Sequence, residues 1–221
     1  MGKKVVIIGA SGHGKVVAES LLRQGQFDLL GFVDDNPDIR GSISGIDVLG
    51  PQEILSRLKE ERGLAGVVLG LGSNFLRASV AQELSLRHPD LFFATVVHPN
   101  AQIARDVVIG GGTVVMPGVV VNPGCRIGPH CIINTGSSLD HDSELGAYAS
   151  LAPGVRTGGG CRVGVSSAIG IAAVLSHGVC IGDHTVIGAG SLVLEAVGDL
   201  KVAYGSPAKV VRSREITNPY L

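Results

Sequence analysis

The sequence predicts an α/β N-terminal domain followed by a parallel β-helix, on the strength of two periodicities and one composition. Over residues 1–98 short apolar runs alternate with helical stretches, and beyond Pro99 aliphatic residues recur every sixth position. The chain has 33 Gly and 10 Pro among 221 residues, 45% hydrophobic residues and only 4% aromatics. Gly is at about twice its usual ~7% share, yet Gly and Pro together stay below the ~25–30% that marks disorder. With a mean hydropathy of +0.37, the chain can bury a core. That core must be made of Val, Ile, Leu, Ala and Gly.

The N-terminal elements follow in order. Lys4–Ile8 reads as a buried strand closed by a glycine-rich turn, and Val16, Val17, Leu21 and Leu22 then recur at helical spacing. Leu29–Val33 is a second strand, ended by Asp34-Asp35-Asn36-Pro37. Pro51–Leu58 opens a helix with Pro in its first turn. Val67–Leu71 is a strand, Asn74–Leu86 a helix and Leu91–Val97 a last strand. Such alternation argues for a parallel sheet of βαβ units. With four or five strands it is closer to a mononucleotide-sized half than to a full dinucleotide fold.

Read in sixes from Ile103, fifteen of sixteen first positions are aliphatic, and the exception, Thr157, is β-branched. Every fifth position is small, from Val107 through Cys125, Cys131 and Cys161 to Val197. This is the hexapeptide signature of a parallel β-helix. Three hexads make one triangular coil, so the repeat builds about five coils, roughly 25 Å long at ~4.8 Å per stacked strand. First positions fill the axis and fifth positions, three cysteines among them, fit the tapered interior. Second positions are dominated by Gly, Asn and Asp, which suit left-handed corners.

Other classes are set aside on charge and cysteine usage. A net charge of −1 and a pI of about 6.6 leave no electrostatic footprint for nucleic acid or an anionic membrane. The apolar run after Lys3-Lys4 is too short for a signal peptide, and no run approaches the ~20 residues of a membrane span. Four cysteines without a CxxC pair make neither a disulfide framework nor a zinc site. The expectation is a cytoplasmic protein with reduced thiols and no metal, with domains at 1–98 and 99–221.

Five motifs, in order, carry a resemblance that covers nearly the whole chain. They are Gly9-Ala10-Ser11-Gly12-His13-Gly14-Lys15-Val16-Val17, Phe32-Val33-Asp34-Asp35, Ile133-Asn134, Asp140-His141-Asp142 and Gly205-Ser206-Pro207-Ala208-Lys209. A chain with these motifs resembles the bacterial sugar acetyltransferases typified by sialic acid O-acetyltransferases and N-acetyltransferases of UDP-linked 4-amino-4,6-dideoxy sugars. The resemblance implies a left-handed β-helix, acetyl-CoA as co-substrate, and a homotrimer with active sites between subunits.

Gly9, Gly12 and Gly14 follow a strand and open a helix, where backbone N–H groups can hold phosphates at the positive helix end. Asp34 lies at the end of the second strand, where an acid can accept from a ribose hydroxyl. The spacing is not GxGxxG, and close helix–sheet packing is the competing reason for the glycines. The resemblance makes Gly9, Ser11, Gly12, His13, Gly14, Asp34 and Asp35 a grip for a nucleotide-sugar, with His13 facing the sugar or pyrophosphate.

His141 occupies an outward third position of its hexad. An imidazole of pKa ~6.5 can take the proton from an attacking amine or hydroxyl near neutral pH. The resemblance makes His141 the general base, oriented by Asp142, and puts Asn134 near the acceptor; a left-handed corner is the alternative for Asn134. It also gives the Gly159 N–H to the thioester carbonyl, within a Gly158-Gly159-Gly160 run where the assignment can slip by one. Several relatives carry a second His where this chain has Ser150, which can donate a hydrogen bond but is no second imidazole. Pro207, Lys209 and Arg212, with Arg214, resemble the exit segment that covers coenzyme A, a solvated tail being the alternative. His177 reads as structural. A γ-carbonic anhydrase is set aside because its His spacing is absent.

The resulting expectation is acetyl-CoA-dependent N-acetylation of a nucleotide-linked, UDP-type amino sugar. O-acetylation of sialic acid or another surface sugar stays open. A non-catalytic nucleotide-sugar-binding protein and a nucleotide-dependent oxidoreductase are weaker readings.

Overall fold

The computed structural model describes residues 2–218. Contacts divide the chain into two compact units, Met1–Gly72 with Leu76–Pro99, and Ser73–Phe75 with Asn100–Leu221.

Over residues 2–99 β1 (Lys3–Ile8) is followed by α1 (Gly12–Gln24), β2 (Phe27–Val33), a hairpin of β3 (Ser42–Ile43) and β4 (Ile46–Asp47), α2 (Ile54–Arg62), β5 (Leu64–Leu69), α3 (Asn74–Arg87) and β6 (Phe92–Phe93). The main sheet runs β2-β1-β5-β6, all parallel. Val5, Val6, Ile7 and Ile8 are buried in its centre, each contributing about 1.5–3 kcal/mol of apolar transfer. The hairpin was not anticipated. It turns on Ser44 and Gly45, both at positive φ (52° and 79°), the geometry of a two-residue hairpin loop. Pro51 precedes α2 by a turn: the N–H groups of Ile54 and Leu55 donate to the carbonyls of Pro51 and Gln52. The stretch expected as one last strand is two short ones, Phe92–Phe93 and Val96–Val97.

The second unit is a left-handed β-helix in which strands two residues long pair in parallel with strands eighteen residues on. Its first ladder runs from Gln102–Ile103 through Ser138–Leu139 to Leu192–Val193. The second runs from Val108–Ile109 through Glu144–Leu145 to Cys180–Ile181. The third runs from Val114–Val115 through Ser150–Leu151 and Val186–Ile187 to Lys201–Gly205, which pairs antiparallel with Ala208–Ser213. First positions such as Ile133, Leu139 and Leu151 are buried, as are Cys125, Cys131 and Cys161. Thr157 is also buried, and its Oγ1 accepts the Asp140 N–H at 2.9 Å.

The corner chemistry differs from expectation. Left-handed residues sit at fourth positions without a break from Gly112 to Gly190, and six of them, including His130, Asp142 and Tyr148, are not glycine. Second-position glycines serve another purpose, since coils approach too closely for a side chain there. A Cβ on Gly128 would lie 2.7 Å from the Ala147 nitrogen, and one on Gly146 2.7 Å from that of Val165.

Candidate active site

His141 and Asp142 lie in the bend joining Ser138–Leu139 to Glu144–Leu145, at the prism edge between the first and second ladders. Leu139 and Leu145 anchor the bend by burial. Inside it, Ser143 is buried and its Oγ accepts the Cys161 N–H at 3.1 Å. Asp142 makes the left-handed turn at φ 58°. The His141 side chain is left 57% exposed, with Nδ1 2.8 Å from Asp142 Oδ2.

A carboxylate only accepts, so Nδ1 carries the proton and Nε2 keeps its lone pair. The bond to Asp142 first, and the charge of Asp140 second, hold the His141 pKa above its ordinary 6.5. Asp140 is held below the usual carboxylate range, chiefly by Asn122, whose Nδ2 donates to its Oδ1 at 2.6 Å, and then by the His141 N–H at 2.8 Å. The site therefore presents a base strengthened by two carboxylates. Asn122 was missed from sequence, although it stands one coil before Asp140 at the same hexad position.

Glycines of the two adjoining coils frame the dyad. A Cβ on Gly124 would lie 2.4 Å from Asp142 Oδ1, and one on Gly159 2.4 Å from His141 Nε2. The three-glycine run has three separate causes. Gly158 faces the His177 ring, with Cγ 2.9 Å from the position of a Cβ; Gly159 faces the His141 ring; Gly160 takes φ 68°. The Gly159 N–H, expected to hold the thioester carbonyl, donates instead to His177 Nδ1 at 3.0 Å. His177 thus contacts the site rather than merely its scaffold.

Other expected residues lie elsewhere in the unit. Asn134 stands at the edge between the third and first ladders, not at the edge of His141. Its Oδ1 accepts the Thr135 N–H at 2.8 Å. The left-handed residue of that corner is Gly136, so Asn134 does not hold it. Ser150 belongs to the third ladder, half-buried, opposite the edge that carries His141. Pro207 forms the turn after Lys201–Gly205, and Lys209 and Arg212 are exposed on Ala208–Ser213. Arg214 is buried and its guanidinium donates to the His184 carbonyl at 2.7 Å, so it is a structural residue and not a phosphate partner.

In the first unit the glycine loop joins β1 to α1. Gly9 takes φ 99°, and a Cβ on Gly14 would lie 2.2 Å from the Gly9 carbonyl oxygen, whereas Gly12 has open space around it. Close packing therefore explains Gly9 and Gly14, and Gly12 with exposed Ser11 is left facing solvent at the start of a helix with no acidic residue in its first turn. Asp34 turns onto the loop: Oδ2 accepts the Ala10 N–H at 2.7 Å and Oδ1 the Asn36 N–H at 2.9 Å. Asp35 accepts from the backbone and side-chain amides of Gln52, a partner that sequence reasoning did not find. His13 Nε2 is buried without a hydrogen-bond partner. Burial first, and the Arg77 cation second, lower its pKa to about 4.

Among the described residues no three His, Cys, Asp or Glu side chains are grouped to hold a metal ion, and no helix is long and apolar enough to cross a membrane.

Residues 4–84 match the family described as PglD N-terminal domain, and residues 100–141 match bacterial transferase hexapeptide (six repeats). PerB from Caulobacter crescentus, solved with CoA and GDP-perosamine, is 37% identical over 96% of this chain and 98% of its own, with a TM-score of 0.88. The acetyltransferase domain of PglB from Neisseria gonorrhoeae, solved with acetyl coenzyme A, is 29% identical over 96% of this chain and 100% of its own, with a TM-score of 0.87. The UDP-N-acetylbacillosamine N-acetyltransferase of Bacillus subtilis is 32% identical over 115 residues, 52% of this chain and 51% of that protein. The chain thus spans about half the length of this curated relative. With dyad, prism and glycine loop on one chain, and one relative matched almost end to end, the protein belongs to the family of bacterial sugar acetyltransferases that join a PglD-type N-terminal domain to a hexapeptide-repeat β-helix.

Proposed function

We propose that this protein transfers the acetyl group of acetyl-CoA to the amine of a nucleotide-linked amino sugar, with His141 as general base and Asp142 fixing its tautomer. The observation that carries this reading is the 2.8 Å contact between His141 Nδ1 and Asp142 Oδ2 at an exposed prism edge. The amine lone pair attacks the thioester carbonyl carbon, and the carbonyl electron pair moves onto oxygen. Nε2 takes a proton from the attacking nitrogen. As the carbonyl re-forms, the C–S bond breaks and the departing sulfur receives that proton, leaving an acetamide and CoA thiol. General base catalysis of this kind contributes about 10²–10⁴ in rate.

The acceptor's nucleotide is held by the first unit. Ser11, Gly12 and His13 open a helix whose positive end favours phosphate, and Asp34 supports this by fixing the loop through Ala10. Asp35 with Gln52 faces the nucleoside. The favoured acceptor is a UDP-linked 4-amino-4,6-dideoxy sugar, and the relative solved with GDP-perosamine brings GDP sugars into the test. Asn134 serves the acceptor. Ser150, Pro207, Lys209 and Arg212 serve coenzyme A, the two cations pairing with phosphates. Because Ser150, Lys209 and Arg212 share the ladder opposite the His141 edge, a complete site needs two copies of the chain, and the working form is a homotrimer in the cytoplasm.

The test is thiol release from acetyl-CoA against a panel of UDP-, dTDP- and GDP-linked amino sugars. His141→Ala lowers turnover by at least about 10² while leaving nucleotide binding and oligomeric state intact. Undiminished turnover in that variant would sink the assignment of the base.

A further inference from the structure

We propose that His177 donates a hydrogen bond from Nε2 to a carbonyl oxygen of the acyl donor, beside His141. The inference rests on the acyl-transfer reading above. His141, Gly159 and His177 occupy the same hexad position on three successive coils. Both rings meet the middle residue. His141 Nε2 lies 2.4 Å from where a Gly159 Cβ would stand, and His177 Nδ1 accepts the Gly159 N–H at 3.0 Å.

A backbone N–H can only donate, so Nδ1 of His177 is unprotonated and its neutral ring carries the proton on Nε2. The two imidazoles are thereby locked in opposite tautomers. A carboxylate leaves His141 with a bare Nε2, and a peptide N–H leaves His177 with an Nε2–H. The first ring can take a proton and the second can give a hydrogen bond.

His141 Nε2 sits against Gly159, and on this proposal the acyl carbon under attack stands at the same prism edge, between the two rings. Its carbonyl oxygen gains negative charge as the amine attacks and needs a donor there. The Gly159 N–H is already engaged, and the exposed His177 ring supplies a donor of fixed tautomer on the next coil. A neutral imidazole polarising a carbonyl is sound chemistry at neutral pH.

The test compares His177→Phe, which keeps a ring but removes both nitrogens, with His177→Gln, which restores an amide donor. Thiol release gives kcat and KM for acetyl-CoA; KM for the acceptor and the melting temperature are measured in parallel. The expected result for His177→Phe is a kcat/KM for acetyl-CoA lower by about 10-fold or more, with acceptor KM and melting temperature unchanged and partial recovery in His177→Gln. Nitrogen-15 spectra of the histidines should show a neutral Nε2–H tautomer for His177 whose signal shifts when acetyl-CoA is added. Parent-like or raised kcat/KM in His177→Phe overturns the proposal, since His177 would then merely occupy the Gly159 N–H. A loss that tracks the melting temperature and is not relieved by Gln overturns it as well. If the parent releases no thiol with any sugar yet acetyl-CoA shifts the His177 signal, the donor role stands and the acceptor reading falls. A parent that binds no acetyl-CoA overturns both.

Discussion

Replacing Gly159 by alanine sets a methyl group against the face of the His141 imidazole, the proposed general base. The added Cβ would stand 2.4, 2.5 and 2.9 Å from Nε2, Cε1 and Cδ2 of His141. Ordinary contact needs about 3.5 Å, so the ring must retreat by about 1 Å, and Asp142 Oδ2 must follow or lose its bond. A displacement of that size at a reacting centre costs about 10² in rate. The backbone of Gly159 lies outside the left-handed region, so the substitution carries no conformational penalty and loses a little unfolded-state entropy instead. The expected outcome is a kcat about 100-fold lower with an unchanged or slightly higher melting temperature. Gly160→Ala is the counterpart. Its φ of 68° strains any side chain, while its Cβ would meet nothing closer than Gly178 Cα at 4.0 Å. That variant should melt earlier by an amount corresponding to about 1–2 kcal/mol and keep its turnover per folded molecule. Thiol release at saturating substrates and thermal melts of both variants decide the matter. If Gly159→Ala keeps kcat within about threefold of the parent without a change in melting, the position of the His141 ring does not limit the reaction.

Three further outcomes follow from the same geometry. His141 must be neutral to act, and its pKa is raised first by Asp142 and then by Asp140, so kcat/KM should rise with pH through a limb above 6.5; in Asp142→Asn that limb moves down toward 6.5 and the plateau drops by about 10² or more. His13, lowered from 6.5 to about 4 by burial and then by Arg77, binds its proton more readily in the unfolded chain, so its stability contribution is present above pH 6.5 and lost as pH falls toward 4. The full span is about 3 kcal/mol, and denaturant midpoints of the parent should drop across that window while those of His13→Asn stay flatter. Burial first among its causes pushes the thiols of Cys125 and Cys161 up, and Cys131 is buried with them. A thiol reagent should therefore modify exposed Cys180 in the native protein and the other three only after denaturation.

The hexad register states which side chains enter the prism, and it correctly sent His141 outward and three cysteines inward. It does not state why a glycine is needed at a given corner, because glycine answers two demands. At fourth positions it permits a left-handed turn, which Asp142 and Tyr148 also make; at second positions only the absence of Cβ lets coils meet, as at Gly128. Composition cannot separate these, but an eighteen-residue step can. Taken from Asp142 it reaches Gly124, from Asp140 it reaches Asn122, and from His141 it reaches Gly159 and then His177. The vertical neighbours of the site were thus legible once each residue was read against the coils above and below it. No such rule exists for the first unit. The placing of the Asp34 carboxylate on the Ala10 N–H follows from the pairing of Ile8 with Val33, downstream of a register shift between Val5 and Val6. That shift leaves no mark in an apolar run, so an acid that spacing suggested for a ribose proves to be the clamp that shapes the glycine loop. On the function proposed above, nucleotide recognition depends on Asp34 through the conformation of the loop, and Asp34→Ala should weaken sugar-nucleotide binding whichever base the nucleotide carries.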